Sequence, residues 1–524
     1  MMKITPTGVV LMLSASIVTY VACNNTASNK TAHNQLSASN GPSIDSFTSA
    51  VPADIKNPAD SIEAAAFAWK EFVALTWPAK PNPTPNMSGF YRGQPDNASI
   101  HGATGPGGTV VWETFYHRAE LYPGYYGLHT LPNPDTLPVY LYHTPVMAAS
   151  GSVNQNLFNN LDETSEISLA YMYYTPLLAK NNGANAGIFY EAKGNNAIYD
   201  YLRKTGYNNS SKRKPALDSA IALVTNTSVP PDSTVFSLPD GAAEIKATWR
   251  HYDATTDKLN NFHWAKGIYY TKNKSGGLVA NNDTFLLMSL HIIQKTPNVP
   301  TFTFATFEHV TLEKTGFRFI NTNPLTDSSA GLPRPLPDSG VIIAERQFPI
   351  PAYINNYNGK AQAQIRAQFG SDNVWANYQL IGVQAVVQND PGDVVPPQQF
   401  FLSNFATETN NALQFFQGGL AGPFNNVPNP DAAHVFVLDK KIKKYVAYTA
   451  GGCLGCHGSQ GQFQGGDFSV IAATGNFFVP DVPNPYPLAA KLFKQNPKGF
   501  PLPHMPANLQ AVSDPHALPG KKRK

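Results

Sequence analysis

The stretch TFLLMSLHIIQKTPNVPTFTFATFEHV, Thr284 to Val310, decides the architecture. Phe285 to Ile293 is apolar at nearly every position, which is how a strand covered on both faces reads. The turn residues of Thr296-Pro297-Asn298-Val299-Pro300 interrupt it. Thr301 to Val310 then alternates, cleanly at first and less so after Ala305. The spacing predicts a hairpin in the middle of a sheet. His291 and His309 fall on its two facing strands, and Glu308, next to His309, points to the other face under regular pairing.

More strands are expected around this hairpin. Ala243 to Arg250 alternates like a half-buried strand, and His263 to Tyr270 reads as the next one. Val110 to Phe115 fits either a strand or a short helix start. Helices are expected over Ile198–Arg203 and Lys214–Val224, with Ala361–Phe369 and Asp372–Gln379 as helix and strand edges. The clearest helix is Ser61 to Trp77. Asp60-Ser61-Ile62-Glu63 is a capping box. Ile62, Ala65, Ala66, Trp69, Phe72, Val73 and Thr76 then share one face, and Pro78 ends the run. Trp69 and Phe72 read as core. No internal repeat is found. The fold class is α+β: a large β-rich main domain, 58–439, with a short, loop-rich, partly helical C-terminal segment, 440–524.

Composition agrees. The chain has 524 residues, 44 of them Pro and 39 Gly, and hydrophobic residues make up 42%, ample for a large core. Charged residues are only 14%, against roughly 25% in ordinary soluble domains. The net charge of +3 is spread thinly and forms no basic stripe, so no nucleic acid partner is expected. The basic end, Lys521 to Lys524, reads as a solvated tail.

The N-terminus reads as an export signal over 1–22. Lys3 supplies a positive charge, and the apolar run from Val9 to Ala22 is shorter than the ~20 residues of a membrane-spanning helix. It ends Tyr20-Val21-Ala22-Cys23, where small residues before a cysteine resemble a bacterial lipoprotein cleavage box, with Tyr20 at the position usually held by Leu. On that reading Cys23 is lipidated, 23–57 is a lipid-linked flexible tether poor in large apolar residues, and the protein belongs to the periplasm or the outer membrane. The alternative is ordinary secretion with an incidental cysteine. No later segment reads as a membrane span.

Once Cys23 is set aside, Cys453 and Cys456 are the only cysteines left, so a disulfide framework is excluded. They stand in Ala450-Gly451-Gly452-Cys453-Leu454-Gly455-Cys456-His457, the C-x-x-C-H pattern of covalent haem attachment. Two thiols at i and i+3 meet the two vinyl groups of a porphyrin, and the next residue sets an imidazole under the iron. Gly451, Gly452 and Gly455 allow close approach of a flat macrocycle. A zinc site would want a second ligand pair. A thioredoxin-like pair would want a βαβ context. A plain disulfide leaves His457 unexplained. One covalent haem c is therefore expected, with Cys453 and Cys456 as tethers and His457 as proximal ligand. For the sixth position Met505, in Phe500-Pro501-Leu502-Pro503-His504-Met505-Pro506, leads. His504, another histidine and an open site are the alternatives.

The motif region resembles c-type cytochromes, whose small members place a helix before the motif. Here the lead-in, Lys441 to Tyr448, is short. More widely, Trp69 to Pro78, Leu290 to Pro297, Thr306 to Val310 and Gly455 to Gly458 look like segments of large, poorly characterised bacterial "cytochrome c family" proteins. That resemblance covers about 60 to 470 and implies an exported haem-binding protein without a known substrate. One-electron transfer is the expected function, and the sequence identifies no redox partner. The alternative is a haem enzyme, peroxidase- or oxygenase-like, whose distal pocket is formed by the large domain. A third reading is a binding protein whose haem is structural or sensory. For the enzyme, His291, Glu308 and His309 are the catalytic candidates. Against this, they read as polar residues satisfied inside the sheet. Glu244, Lys246, Trp249 and Arg250 read as a buried ion pair or pocket lining.

Overall fold

The computed structural model describes residues 44–84, 89–123, 130–134, 136–148, 158–166, 170–178, 185–229, 233–312, 317–321, 341–343, 349–386, 404, 406–407, 434–439, 442–449, 452–475 and 479–482. The export signal, Cys23 and Met505 lie outside these residues. The elements used below are helix α1 (Ser61–Leu75), strand β1 (Ile188–Gly194), helices α2 (Asn196–Thr205) and α3 (Ser210–Val224), and strands β2 (Ala243–His251), β3 (Trp264–Lys272), β4 (Leu278–Thr296) and β5 (Val299–His309). Helix α4 (Ala352–Phe369), strand β6 (Tyr378–Gln384), the hairpin β7 (His434–Asp439) and β8 (Lys444–Thr449), and helices α5 (Gly452–Gln460) and α6 (Val470–Thr474) follow. Helices combined with a large antiparallel sheet make the fold α+β. Among the described residues no helix is long and apolar enough to cross a membrane.

The expected hairpin is the centre of the sheet. β4 and β5 are joined through Pro297 and Asn298, and the main path runs β6-β5-β4-β2-β1, antiparallel throughout. β4 is longer than its apolar run. Its first half pairs with β3, end to end with β5 along the same edge.

Register sorts the side chains into two faces, because directly paired residues share a face. His291 pairs with Thr306 on one side and Lys246 on the other, and Ile293 pairs with Phe304 and Glu244. Thr306 and Phe304 continue to Gly382 and Gln384 on β6. This first face is mixed in polarity. The second carries Ile245, Ala247, Leu290, Ile292, Ala305, Phe307 and Leu380, all buried.

α1 and α4 cover the second face. α1 starts because the Asp60 carboxylate accepts from the backbone N–H of Ile62 (2.8 Å) and Glu63 (3.1 Å), two of the donors a helix start leaves unpaired. Glu63 reaches farther back than a capping box requires, to the N–H groups of Lys56 (2.7 Å) and Asn57 (3.2 Å). Phe72 stacks on Phe307 (centroids 4.1 Å) and Trp69 meets the same ring edge-on at 5.0 Å. Trp69 and Phe72 are thus core residues, as expected. Asn358 of α4 accepts from Trp69 Nε1 (3.0 Å) and from Leu380 N (3.1 Å), and donates to Leu380 O (2.8 Å). One amide thereby pairs an edge strand like another strand and satisfies an indole.

The packed chain begins earlier than the expected boundary at 57/58. Phe47 and Ile55 are buried. Gln368 exchanges hydrogen bonds with the Phe47 backbone, and Asn298 in the β4–β5 turn donates to Asp54 Oδ1 (3.1 Å) and Ile55 O (3.0 Å). Phe47 and Ile55, with Ile44 packed against the same core, dock a stretch that is otherwise mostly polar. Val111–Thr114 forms a 3₁₀ turn, the helical alternative for that stretch.

Candidate haem-attachment site

The first face of the sheet receives the cysteine motif. Cys453, Cys456 and His457 lie on α5, the two thiols one turn apart and half-buried. The chain enters α5 from the β7–β8 hairpin, so the lead-in at 441–448 is largely strand. Leu454 is fully buried and joins the apolar cluster of α2 and α3, and its N–H donates to Gln384 Oε1 of β6 at 2.9 Å. Gln462 fixes the other end: it accepts from Phe436 N (2.8 Å) and donates to Phe436 O (2.7 Å) on β7. The motif is therefore packed into the main domain.

His457 is held by its Nδ1, which donates to the carbonyl of Phe468 at 2.7 Å. A carbonyl only accepts, so Nδ1 carries the proton and the lone pair of the neutral ring is on Nε2. Burial pulls the imidazole down to about 4, opposed by the Phe468 carbonyl and reinforced by Lys246, so the ring is neutral at physiological pH. The approach depends on Gly461. A Cβ there would stand 2.6 Å from Phe468 C and 2.7 Å from His457 O.

The Phe468 carbonyl is placed by unusual backbone. Asp467 and Phe468 have φ of 52° and 65°, the left-handed region that bulky residues avoid. The surroundings hold the pair. Asp467 accepts from Lys295 Nζ (2.7 Å), Leu238 N (2.8 Å) and Ser237 Oγ (3.3 Å), and Phe468 is buried. Ser469 caps α6 through Ala472 N (2.9 Å) and donates a short hydrogen bond to Glu244 on β2. Burial lifts the Glu244 carboxyl to about 8, with the Ser469 hydroxyl opposing, so the acid is largely protonated at neutral pH.

Opposite His457 stands His291. Their ring centroids are 5.8 Å apart with planes at 31°, and Phe304 flanks His457 at 4.9 Å. His291 Nδ1 is 2.6 Å from Thr306 Oγ1, its partner in register. Burial above all, then His457 and Lys246, holds His291 well below the usual histidine range.

The other candidates go elsewhere. His309 lies on the second face, stacked on Phe262 at 4.0 Å; Nε2 donates to Asn261 O (2.9 Å) and Nδ1 contacts Thr311 Oγ1 (2.8 Å). Glu308 shares the face of His291, where Gln379 (2.9 Å) and Asn404 (2.6 Å) donate to its two oxygens. Trp249 Nε1 donates to Glu191 (2.9 Å), and Arg250 forms a two-pronged ion pair with Asp257, 2.7 Å at each nitrogen. These two are thus separated from Glu244 and Lys246. Thr306, Phe468 and Gln384, which position the two imidazoles and the helix, have no signature in the sequence.

The arrangement fits a haem in one testable respect. Metal-bound histidines almost always donate the second ring N–H to a carbonyl, carboxylate or water, and His457 does so. Among the described residues no three His, Cys, Asp or Glu side chains are grouped to hold a metal ion. Comparisons with protein-family models, with curated proteins and with solved structures gave no match.

Proposed function

We propose that this protein is an exported, lipid-anchored haem c protein that transfers single electrons. The observation that supports it most is His457: it follows two thiols spaced one helical turn apart, and its tautomer is fixed by the Phe468 carbonyl. Cys453 and Cys456 would tether the porphyrin, and His457 Nε2 would hold the iron. When bound, the haem supplies a one-electron couple. The chain orients the proximal imidazole, keeps it neutral, and packs the buried Phe304 ring against it. The Tyr20 to Cys23 sequence supports attachment of a lipid at Cys23.

The test is co-expression with a haem-maturation system. One haem per chain that survives acidified acetone is expected, lost in Cys453→Ala/Cys456→Ala. Absence of a Soret band in matured, folded protein would overturn the proposal. A Cys23→Ser variant should leave the membrane fraction, and its retention there would rule out the lipid anchor.

A further inference from the structure

The loop that orients His457 is held by a contact far away in sequence. We infer that Asp467, clamped by Lys295, is the positioning residue that fixes which nitrogen of His457 carries the proton and thereby sets the reduction potential; the second half rests on the haem reading above.

Three observations carry it. The first is connectivity. Asp467 adjoins Phe468, whose carbonyl accepts from His457 Nδ1 at 2.7 Å. That hydrogen bond holds only while the peptide after Phe468 keeps its orientation. The second is backbone strain. Asp467 and Phe468 have φ of 52° and 65°. Two successive residues with side chains relax from that region unless their surroundings over-determine them.

The third is what over-determines them. One oxygen of Asp467 gathers three donors: Lys295 Nζ at 2.7 Å, Leu238 N at 2.8 Å and Ser237 Oγ at 3.3 Å. Lys295 Nζ also donates to Ser237 Oγ at 3.2 Å, which closes a ring of bonds. Lys295 is itself fixed at the end of β4. Its N–H donates to Ala242 O (2.9 Å), and its carbonyl accepts from Gly241 N (2.8 Å). The two charged side chains are only 10% and 15% exposed, so salt screens this charge-assisted bond less than a surface pair. Ser469, bonded to Glu244, holds the loop on the other side of Phe468 and keeps α6 docked when Asp467 is changed.

Donation from Nδ1 makes an imidazole a more basic ligand, which favours ferric iron and lowers the potential. A chain without the clamp should hold His457 as a mixture of tautomers and carry its haem at a higher potential.

The first half is read on the full-length chain expressed without haem maturation, shown to be folded by circular dichroism and labelled with ¹⁵N-histidine. Long-range proton–nitrogen correlation at neutral pH should show His457 protonated at Nδ1, the signal being assigned by its disappearance in His457→Gln. Asp467→Ala should lose that pattern. Lys295→Met keeps the donors from Leu238 and Ser237 and should lose it in part; it also stands in for Asp467→Ala should that variant fail to fold. Asn358→Ala, which loosens the rear face of the sheet, should leave the pattern intact. The second half is read by redox titration of the matured proteins. The potential should rise in Lys295→Met and further in Asp467→Ala, with Asn358→Ala at the wild-type value.

A wild-type His457 protonated at Nε2 would overturn the inference at once. So would a wild-type tautomer and potential in folded Asp467→Ala or Lys295→Met. An equal shift in Asn358→Ala would also overturn it, because the effect would then be general loosening. Wild-type chains that take up no covalent haem would defeat the haem reading, and the tautomers would still decide the positioning role.

Discussion

The two faces of the central sheet are built on different chemistry although they alternate along the same strands. Behind it, Phe307, Leu290 and Ile292 meet α1 and α4 in a dry core, with Asn358 as a polar bracket. In front, Thr306, His291, Lys246 and Glu244 meet the motif helix and the loop after it. Apolar contact is non-directional, so the rear face specifies packing and volume. Hydrogen bonds are directional and costly when unmade, so the front face specifies orientation. Stability should reside mainly on the first and chemistry on the second.

Neighbouring residues on β5 and the helices that cover the rear face put that division at risk. The largest effect is expected for Phe307→Ala, which removes a ring that Phe72 and Trp69 both contact. It should cost about 3–5 kcal/mol in a denaturant melt and leave the visible spectrum of the matured protein unchanged. A smaller loss accompanied by an altered spectrum would mean that the faces are not separable.

Glu71 on α1 comes next. It is buried, neither oxygen has a hydrogen-bond partner among the described residues, and burial lifts its carboxyl from 4.5 to about 8. The folded state therefore holds a proton that the unfolded state releases between these values. Stability is fully present below pH 4.5 on this account and falls as pH rises towards 8. Replacing it with Leu should raise stability by about 3 kcal/mol at pH 7 and far less at pH 5. Equal effects at both pH values in melts would show that Glu71 is not the titrating group.

Asn358→Ala should cost about 2 kcal/mol, because Trp69 Nε1 and the Leu380 backbone lose their partner in a dry region. A cost near zero by chemical denaturation would mean that water replaces the amide. Smallest of the four is Thr306→Val, next to Phe307 on the front face. It should cost about 1 kcal/mol yet, under the haem proposal, change the visible spectrum of the matured protein, since it removes the hydroxyl on Nδ1 of His291, which faces His457. An unchanged spectrum would break the proposed division from the chemical side.

The rear face and its helix were largely legible in the sequence, because burial writes a period. The β4–β5 hairpin and α1 follow from apolar runs, turn residues and a cap. The cysteine motif was legible because two cysteines and a histidine occur at a fixed spacing. The front face was not. His291 and His309 look alike in sequence, and only register shows that one faces His457 while the other stacks on Phe262. Phe468 acts through its carbonyl, which every residue has, so its identity announces nothing. The β7–β8 lead-in differs from a helical approach because Lys444 to Thr449 includes Val446 and two tyrosines, which favour strand.

The loop that supplies the Phe468 carbonyl is fastened by residues from remote parts of the chain: Leu238, Lys295 and, through Ser469, Glu244. Under the haem proposal, tethering would need only the local string of two thiols, whereas the hydrogen bond that makes the imidazole electron-rich would need the assembled molecule. A short peptide carrying the motif would then bind haem covalently but with a reduction potential different from that of the whole chain.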